Sequence, residues 1–206
     1  MPKGSPELTA SRREEIINAC EKLYETMSFK EITIKEIGAV TSFTRTSIYN
    51  YFQTKEEIFL ALMQREYELW AQELSALAEE KEGMTAEDFA DTLAKSLEKR
   101  QQLLKLLAMN HYDMEENSRA ERLTDFKVAY GASLDAVRAC LRKFFPNTDR
   151  ESFIFVFFPF LFGVYPYAFA TEKQLSAMRE AKMDFKMHSI YEIIYSCVMQ
   201  LLGGTR

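Results

Sequence analysis

Hydrophobic residues recur along most of the chain at the three- and four-residue spacing of an amphipathic helix. One helical face is formed near the start by Ile16, Ile17, Cys20, Leu23, Tyr24 and Met27. The alternating pattern of a half-buried strand does not occur over a useful length, and the sequence contains no internal repeat. The pattern therefore predicts an all-α fold.

Several helix starts are marked by a hydroxyl residue followed three positions later by an acidic residue, the form of a capping box. These pairs are Ser11 with Glu14, Thr33 with Glu36, Thr54 with Glu57 and, in a weaker form, Thr85 with Asp88. With the apolar spacing, they predict a first helix after Ser11 and further helices over about 34–40, 44–52, 55–80, 85–100, 101–113, 118–145 and 149–171. A last helix has the face Ile190–Leu201 and is ended by Gly203 and Gly204.

One of these predicted helices is apolar on all sides. The 20 residues from Ser152 to Thr171 carry no charge, which is long enough to cross a membrane. Gly163 and two prolines interrupt the run, and acids as well as bases flank it. We therefore expect a helix buried in protein, partly by a second subunit, and no membrane contact. The alternative is a membrane-associated helical protein anchored through 152–171.

Composition excludes several classes of protein. With 7 Gly and 5 Pro in 206 residues, the chain is neither a loop-rich β-sandwich nor collagenous. Cys20, Cys140 and Cys197 are odd in number and far apart, which disfavours a disulfide framework and a zinc site and suits a cytoplasmic protein. No G-x-S-x-G, glycine-rich phosphate loop or H-E-x-x-H motif occurs, so we expect no enzyme activity, no cofactor and no metal.

The segment Thr33–Lys55 is predicted to form a helix-turn-helix, two short helices joined by about three residues. The residues expected to pack it on the first helix are Ile37, Val40, Ile48 and Phe52. The residues expected to face outwards are Arg45, Thr46, Tyr49 and Asn50. A guanidinium, a hydroxyl and an amide are groups that read base edges or bind phosphate in a DNA major groove.

The local charge of this segment favours an anionic partner. Thr41–Lys55 contains two bases and no acid, although the whole chain has 31 acidic and 26 basic residues. Lys55 also stands at the start of a predicted helix, where free N–H groups add to its positive charge. We therefore expect Lys55 to contact a phosphate.

The stretch ITIKEIGAVTSFTRTSIYNYFQTKEEIFLALM resembles the DNA-binding region of the TetR family of bacterial transcriptional regulators. The similarity is densest in S-I-Y-N-Y-F-Q-T-K-E-E-I, which is similar to the family signature T-L-Y-x-H/Y-F-x-x-K-E-E-L. It covers roughly residues 11–65 and implies a homodimeric repressor. The resemblance implies a three-helix DNA-binding domain at 1–54 and a larger helical effector-binding and dimerisation domain at 55–206.

The resemblance also implies roles for single positions. Thr33 and Lys35 fall where the second helix meets the phosphates and the groove, and Tyr49 and Tyr51 match an aromatic pair that contacts the backbone. The full set of predicted DNA contacts is Thr33, Lys35, Thr44, Arg45, Thr46, Ser47, Tyr49, Asn50, Tyr51 and Lys55. Ser42 and Thr46 stand where the family commonly has glycine, and we expect a positive φ at Ser42.

The rest of the chain is expected to bind a small hydrophobic or aromatic effector between helices. The candidate lining residues are Trp70, Met109, His111, Tyr112, Phe126, Tyr130 and Tyr165, although aromatic residues at helical spacing are also ordinary core. The predicted dimer seam consists of Phe157, Phe160, Leu161, Val164, Ile194, Cys197, Val198 and Leu201. Two-fold symmetry then predicts a pseudo-palindromic operator in double-stranded DNA, with half-sites about 34 Å apart or a multiple of it.

Overall fold

The computed structural model describes residues 5–203, apart from the side chains of Met109 and Asn110. Within that range the chain forms helices and no strand, so the all-α prediction is confirmed. The helices are α1 (Pro6–Thr26), α2 (Ile34–Ala39), α3 (Arg45–Ile48), α4 (Lys55–Glu80), α5 (Ala86–Glu98), α6 (Gln101–Glu116), α7 (Ala120–Phe144), α8 (Arg150–Ala168), α9 (Glu172–Glu180) and α10 (Ile190–Gly203).

Three of the predicted helix caps are present. The side chains of Thr33, Thr54 and Thr85 each accept a hydrogen bond from a backbone N–H two or three residues further on, at 3.1–3.2 Å. The prediction for Ser11 is wrong, because α1 begins at Pro6 and is capped by Ser5. Proline suits the first helical turn, where its missing N–H would have no partner within the helix.

Two helices differ from those that the apolar spacing predicted. The helix predicted over 44–52 is reduced to the single turn α3, and the residues after Ile48 form turns. The helix α9 was not predicted at all. It begins with a capping box between Thr171 and Gln174 but has no buried residue. The apolar spacing on which the predictions depended therefore did not indicate it.

The helices form two compact units. The first unit extends to Glu68 and includes Asn110–Ala132, and the second comprises Leu69–Met109 and the chain from Ser133 onwards. These units do not coincide with the predicted segments 1–54 and 55–206, because the first half of α4 packs on α1. The rings of Tyr24 and Phe59, for example, meet edge to face with their centroids 5.1 Å apart.

In the second unit, α8 and α10 supply much of the apolar core. One side of α8 is buried, including Phe153, Phe157 and Leu161, while Phe155 on the opposite side is 80% exposed. Among the described helices, α8 is the one long and apolar enough to span a membrane, and 39% of its apolar window is buried.

This arrangement corrects the predicted dimer seam. Five of its eight residues are already buried within the single chain: Phe157, Leu161, Val164, Ile194 and Val198. The other three, Phe160, Cys197 and Leu201, are half-buried. Because α8 is apolar on all sides, its sequence does not indicate which side is exposed. The prediction from periodicity therefore placed the dimer seam on the side that faces the core. The apolar residues that α8 leaves on the surface are instead Phe155, Val156, Pro159, Pro166 and Tyr167.

Candidate nucleic-acid interface

The structure forms the predicted helix-turn-helix from α2, the five residues 40–44 and α3. Ile37, Ile48 and Phe52 are fully buried and hold the motif on the first unit. The prediction that Val40 belongs to this core is wrong: Val40 follows the last residue of α2 and is 54% exposed. The turn therefore depends on the isoleucines and Phe52 for its anchoring.

The side chains that were expected to read DNA lie together on the outside of the motif. Arg45, Thr46, Tyr49 and Asn50 are all exposed. Arg45 donates a hydrogen bond from Nη2 to the Tyr49 hydroxyl at 3.3 Å. Since the two residues are four positions apart, Tyr49 supports the guanidinium on the exposed side of the motif.

A close contact between α2 and α3 was not recognised in the sequence. A Cβ atom at Gly38 would lie 3.3 Å from Cα of Arg45, closer than nearly all real Cβ contacts. Glycine at this position therefore lets the two helices approach each other. The signal that could have identified it is a single glycine inside a helix of six residues.

The turn between α2 and α3 is held by an acidic residue that the sequence analysis missed. The Glu15 carboxylate of α1 accepts hydrogen bonds from the backbone N–H of Ser42 and, at 3.0 Å, from its hydroxyl. The expectation of a positive φ at Ser42 is wrong, because Lys182 is the one non-glycine residue with a positive φ in the described chain. A serine at this position is therefore accommodated by a hydrogen-bonding partner without backbone strain.

The predicted phosphate-contacting residues differ in how accessible they are. Lys35 is exposed at the start of α2. The Thr33 hydroxyl accepts the Lys35 N–H and donates to the Glu36 carboxylate, and this side-chain hydrogen bond lowers the pKa of Glu36. The Thr33 hydroxyl is thus already bonded within the chain.

Lys55 is bonded to the backbone of the first unit. Its Nζ donates to the carbonyl oxygens of Phe29 at 2.6 Å and Ile32 at 3.1 Å, and it lies 4.2 Å from the centre of the Phe29 ring. The ammonium therefore ties the connection between α1 and α2 to the start of α4. The contact of Lys55 with phosphate stays a prediction.

The remaining predicted DNA contacts lie around α3. Thr44 and Ser47 are linked by a hydrogen bond of 3.1 Å between their hydroxyls. Tyr51 is buried, with its ring centre 6.4 Å from that of Phe43. Tyr51 therefore offers a ligand much less surface than the exposed Tyr49 does.

An ion pair between a buried carboxylate and a partly exposed arginine joins the start of α4 to the connection between α6 and α7, within the first unit. Glu57 is 1% exposed and accepts two side-chain hydrogen bonds from Arg119. Beside it, the Thr54 hydroxyl donates to the carbonyl oxygen of Asn117 at 3.0 Å. The segment 117–119 is thereby fastened to α4, the helix that follows the helix-turn-helix.

The predicted effector residues are divided between the two units. His111, Tyr112, Phe126 and Tyr130 belong to the first unit, and Trp70, Met109 and Tyr165 belong to the second. Tyr112 is 86% exposed, so its prediction as a lining residue is wrong. The side chain of Met109 lies outside the described residues.

In the first unit, the rings of Phe126 and Tyr130 are stacked with their centres 6.3 Å apart, and Tyr67 packs against both. His111 lies 3.2 Å from the Glu115 carboxylate. Burial lowers the pKa of His111, although the charge of Glu115 acts in the opposite direction. These residues form an aromatic cluster bordered by charged groups, since Glu115 also accepts a hydrogen bond from Lys127, which lies 5.1 Å from the centre of the Phe126 ring. Their role in effector binding stays a prediction.

In the second unit, the Trp70 side chain is fully buried and donates from Nε1 to the Ser96 hydroxyl at 3.0 Å. Its ring lies 5.8 Å from that of Phe158. Tyr165 is half-buried beside Phe169, 4.7 Å between ring centres. Among the residues that the structure describes, no three His, Cys, Asp or Glu side chains are grouped closely enough to hold a metal ion.

Comparison with known proteins gives matches along nearly the whole chain. A family model described as "Bacterial regulatory proteins, tetR family" matches residues 16–62, and one described as "Tetracyclin repressor-like, C-terminal domain" matches residues 64–191. The uncharacterized HTH-type transcriptional regulator YfiR of Bacillus subtilis (strain 168) is 29% identical over 107 residues, which are 45% of this chain and 51% of that protein. The match thus spans about half the length of this relative.

Solved structures with the same fold cover almost the full chain. The fatty acid degradation regulator FadR from Bacillus halodurans has a TM-score of 0.59 at 17% identity, over 100% of this chain and 99% of that one. Bacillus subtilis FadR in complex with stearoyl-CoA has a TM-score of 0.59 at 16% identity, over 94% of this chain and 99% of that one. Thermus thermophilus FadR with lauroyl-CoA has a TM-score of 0.57 at 18% identity, over 94% and 95%. At these identities the likeness concerns the fold.

Proposed function

Because this chain belongs to the TetR family of bacterial regulatory proteins, we propose that it is a DNA-binding transcriptional repressor that responds to a small apolar effector. Its role is regulation and not catalysis. The observation that carries the proposal is the exposed group of Arg45, Thr46, Tyr49 and Asn50 on a helix-turn-helix anchored by buried isoleucines. These side chains are a guanidinium, hydroxyls and an amide, the groups that distinguish bases in a major groove.

Two copies of the chain bind one operator. The outer side of α8 carries Phe155, Val156, Pro159 and Tyr167, and a second copy would remove these apolar side chains from water. Two-fold symmetry places the two reading motifs on half-sites about 34 Å apart, or a multiple of that distance, in a pseudo-palindrome. The protein acts in the cytoplasm, where its DNA is. The membrane-anchored alternative is not favoured, since the family is one of regulatory proteins.

The effector is a compound with an apolar part, and acyl-CoA esters, which join an apolar acyl chain to the charged CoA group, are the first class to test. Support comes from two solved structures of the same fold, which are described as complexes with stearoyl-CoA and lauroyl-CoA. The Glu57–Arg119 pair supplies a path for the response, because it fastens the connection between α6 and α7 to α4. An effector regulates DNA binding only if it binds one arrangement of these elements more tightly than the other.

The proposal is tested by selecting bound DNA from a random pool with the purified chain at near-physiological salt. We expect one enriched pseudo-palindrome, and its affinity is then measured with and without lauroyl-CoA or stearoyl-CoA. A matched selection with Arg45→Ala shows whether the enriched bases depend on α3. A folded, dimeric chain that enriches no sequence would contradict sequence-specific DNA binding. If an operator is enriched but the affinity of the chain for it is the same with and without both esters, only the choice of effector would be contradicted.

A further inference from the structure

The helix α3 is too short to be stable through its own hydrogen bonds. It has four residues, Arg45–Ile48, which is about one helical turn. Isolated helices shorter than about 12 residues are marginal in water. Thr44 precedes the first residue of α3, but within the described chain its side chain accepts no hydrogen bond from the backbone of that helix. The direction in which α3 presents Arg45 is therefore set by contacts from outside the helix.

The turn between α2 and α3 is held only in part by its own residues. The Thr41 hydroxyl lies 3.2 Å from the carbonyl oxygen of Gly38 and 3.1 Å from that of Phe43. Ile48 is fully buried and anchors the far end of α3. These contacts do not involve the two hydrogen-bond donors of Ser42, the central residue of the turn. Those donors need a partner from elsewhere in the fold.

The first helix supplies that partner. One carboxylate oxygen of Glu15 accepts the backbone N–H of Ser42, and the other accepts the Ser42 hydroxyl at 3.0 Å. Three positions earlier on α1, the guanidinium of Arg12 lies 5.9 Å from the centre of the Phe43 ring. Residues three apart lie on the same side of a helix. One side of α1 therefore contacts two successive residues of the turn.

We propose that Glu15 is a positioning residue for DNA recognition, which fixes the direction of α3 by holding the turn at Ser42. Its two charged oxygens accept both donors of Ser42 at once, and hydrogen bonds to a charged acceptor are the stronger kind. Base edges are recognised only through well-aligned hydrogen bonds, so a small rotation of α3 would remove the contacts of Arg45. The role rests on the proposed regulatory function and concerns its sequence specificity.

The charge of Glu15 alone predicts the opposite effect on binding. A carboxylate on the DNA-binding unit repels phosphates, so its removal should strengthen binding to any DNA. If Glu15 positions α3, Glu15→Ala should instead weaken binding to the operator and leave binding to random DNA unchanged or slightly stronger. A loss of stability that leaves the chain folded would change neither affinity. The ratio of the two affinities therefore separates positioning from charge and from stability.

The experiment measures the affinity of the full chain for the selected operator and for random DNA at the same salt concentration. We expect Glu15→Ala to weaken operator binding about tenfold and to lower the ratio of operator to random affinity by at least that factor. Glu25→Ala is the matched control, because Glu25 is exposed on the same helix, ten positions further along, and its loss changes the net charge equally. It should leave the ratio unchanged.

A second variant tests the contact from the side of the turn. Ser42→Ala removes the hydroxyl donor and keeps the backbone N–H, so we expect the affinity ratio to fall about threefold. In a Ser42→Ala background, Glu15→Ala should lower the ratio by less than it does in the unmodified chain, because one of its two hydrogen bonds is already absent. Circular dichroism and urea denaturation establish that each variant is folded under the conditions of the binding measurements.

Three results would overturn the proposed role of Glu15. The first is a folded Glu15→Ala chain with the affinity ratio of the unmodified chain, and the second is an equal loss of affinity for both DNAs. The third is a pair of variants, Glu15→Ala and Ser42→Ala, whose effects on the ratio are independent. If the unmodified chain enriches no operator, the regulatory function fails together with this role. An enriched operator with an unchanged ratio removes only the role of Glu15.

Discussion

Arg119 donates two side-chain hydrogen bonds to the carboxylate of Glu57, from Nε to Oε1 at 2.6 Å and from Nη2 to Oε2 at 2.9 Å. The backbone N–H of Arg119 also donates to Oε1, and that of Gln53 donates to Oε2. Glu57 therefore has four donors from two places in the sequence while its side chain is buried. This contact fastens the segment after α6 to α4, the helix that follows the helix-turn-helix.

Removal of this ion pair should destabilise the first unit. Arg119→Ala leaves a buried carboxylate without its two strongest donors, and we expect a loss of about 2–3 kcal/mol in the free energy of unfolding. Arg138→Ala is the matched control, since Arg138 makes the same two-bonded contact with Glu151 at 2.9 and 3.0 Å, but Glu151 is exposed. Its loss should stay below about 1 kcal/mol in urea denaturation. Equal losses of unfolding free energy in the two variants would mean that burial of Glu57 does not strengthen its ion pair.

Stability should also fall because of Glu57 once the pH drops below about 4.3. Burial alone would raise the pKa of Glu57, but the hydrogen bonds from Arg119 and Gln53 outweigh it and hold the pKa below its usual value. The stabilisation is therefore complete above the unfolded-state pKa of about 4.3 and is lost as the pH falls through the lower folded-state value. Urea midpoints from pH 7 to pH 3 should fall less steeply in Glu57→Gln than in the unmodified chain. If the urea midpoints of the two chains fall equally with pH, Glu57 does not cause the loss of stability in acid.

Arg45 should decide which base is bound at one position of the operator. Its guanidinium is exposed on α3 and supported by the Tyr49 hydroxyl. We expect Arg45→Ala to cost about 1–3 kcal/mol on the selected operator and little on random DNA. Lys35→Ala is the comparison, because a phosphate contact should weaken binding to both DNAs alike. A loss for Arg45→Ala that is equal on both DNAs would exclude a base-reading role.

Lys55 should matter for folding as well as for DNA. Its Nζ donates to two backbone carbonyl oxygens, so Lys55→Ala should lower the free energy of unfolding by about 1.5–3 kcal/mol. Lys35 is exposed, and its alanine variant should change stability by less than about 0.5 kcal/mol. If Lys55 also contacts phosphate, the salt dependence of DNA binding should decrease by about one ion. An unchanged salt dependence in the folded variant would limit Lys55 to its structural role.

The outer side of α8 should control dimerisation. Phe155 is 80% exposed in the single chain, and Phe155→Asp would place a charge on the apolar surface that we propose a second copy covers. We expect this variant to be monomeric by light scattering while it keeps its helical content. Val128→Asp changes an apolar residue that is 68% exposed on α7, and it should remain dimeric. A dimeric Phe155→Asp chain would place the interface elsewhere.

The sequence determined the local features of this protein. Apolar spacing predicted helices, and the hydroxyl residues at 33, 54 and 85 predicted caps, because both depend on interactions within about one helical turn. The exposed side of the helix-turn-helix could be predicted for the same reason, since Ile48 and Phe52 define its buried side.

Only the tertiary structure decided which distant residues meet. The Glu15–Ser42 and Glu57–Arg119 contacts join residues 27 and 62 positions apart, and no local spacing indicates them. Lys55 was expected at a phosphate because of its charge, whereas packing brings it to the carbonyl oxygens of another segment. On α8 the residues are apolar all round, so the pattern could not say which side faces the core. That choice follows from the packing of α8 with α10 and the rest of the second unit, which leaves Phe155 on the surface and buries Phe157.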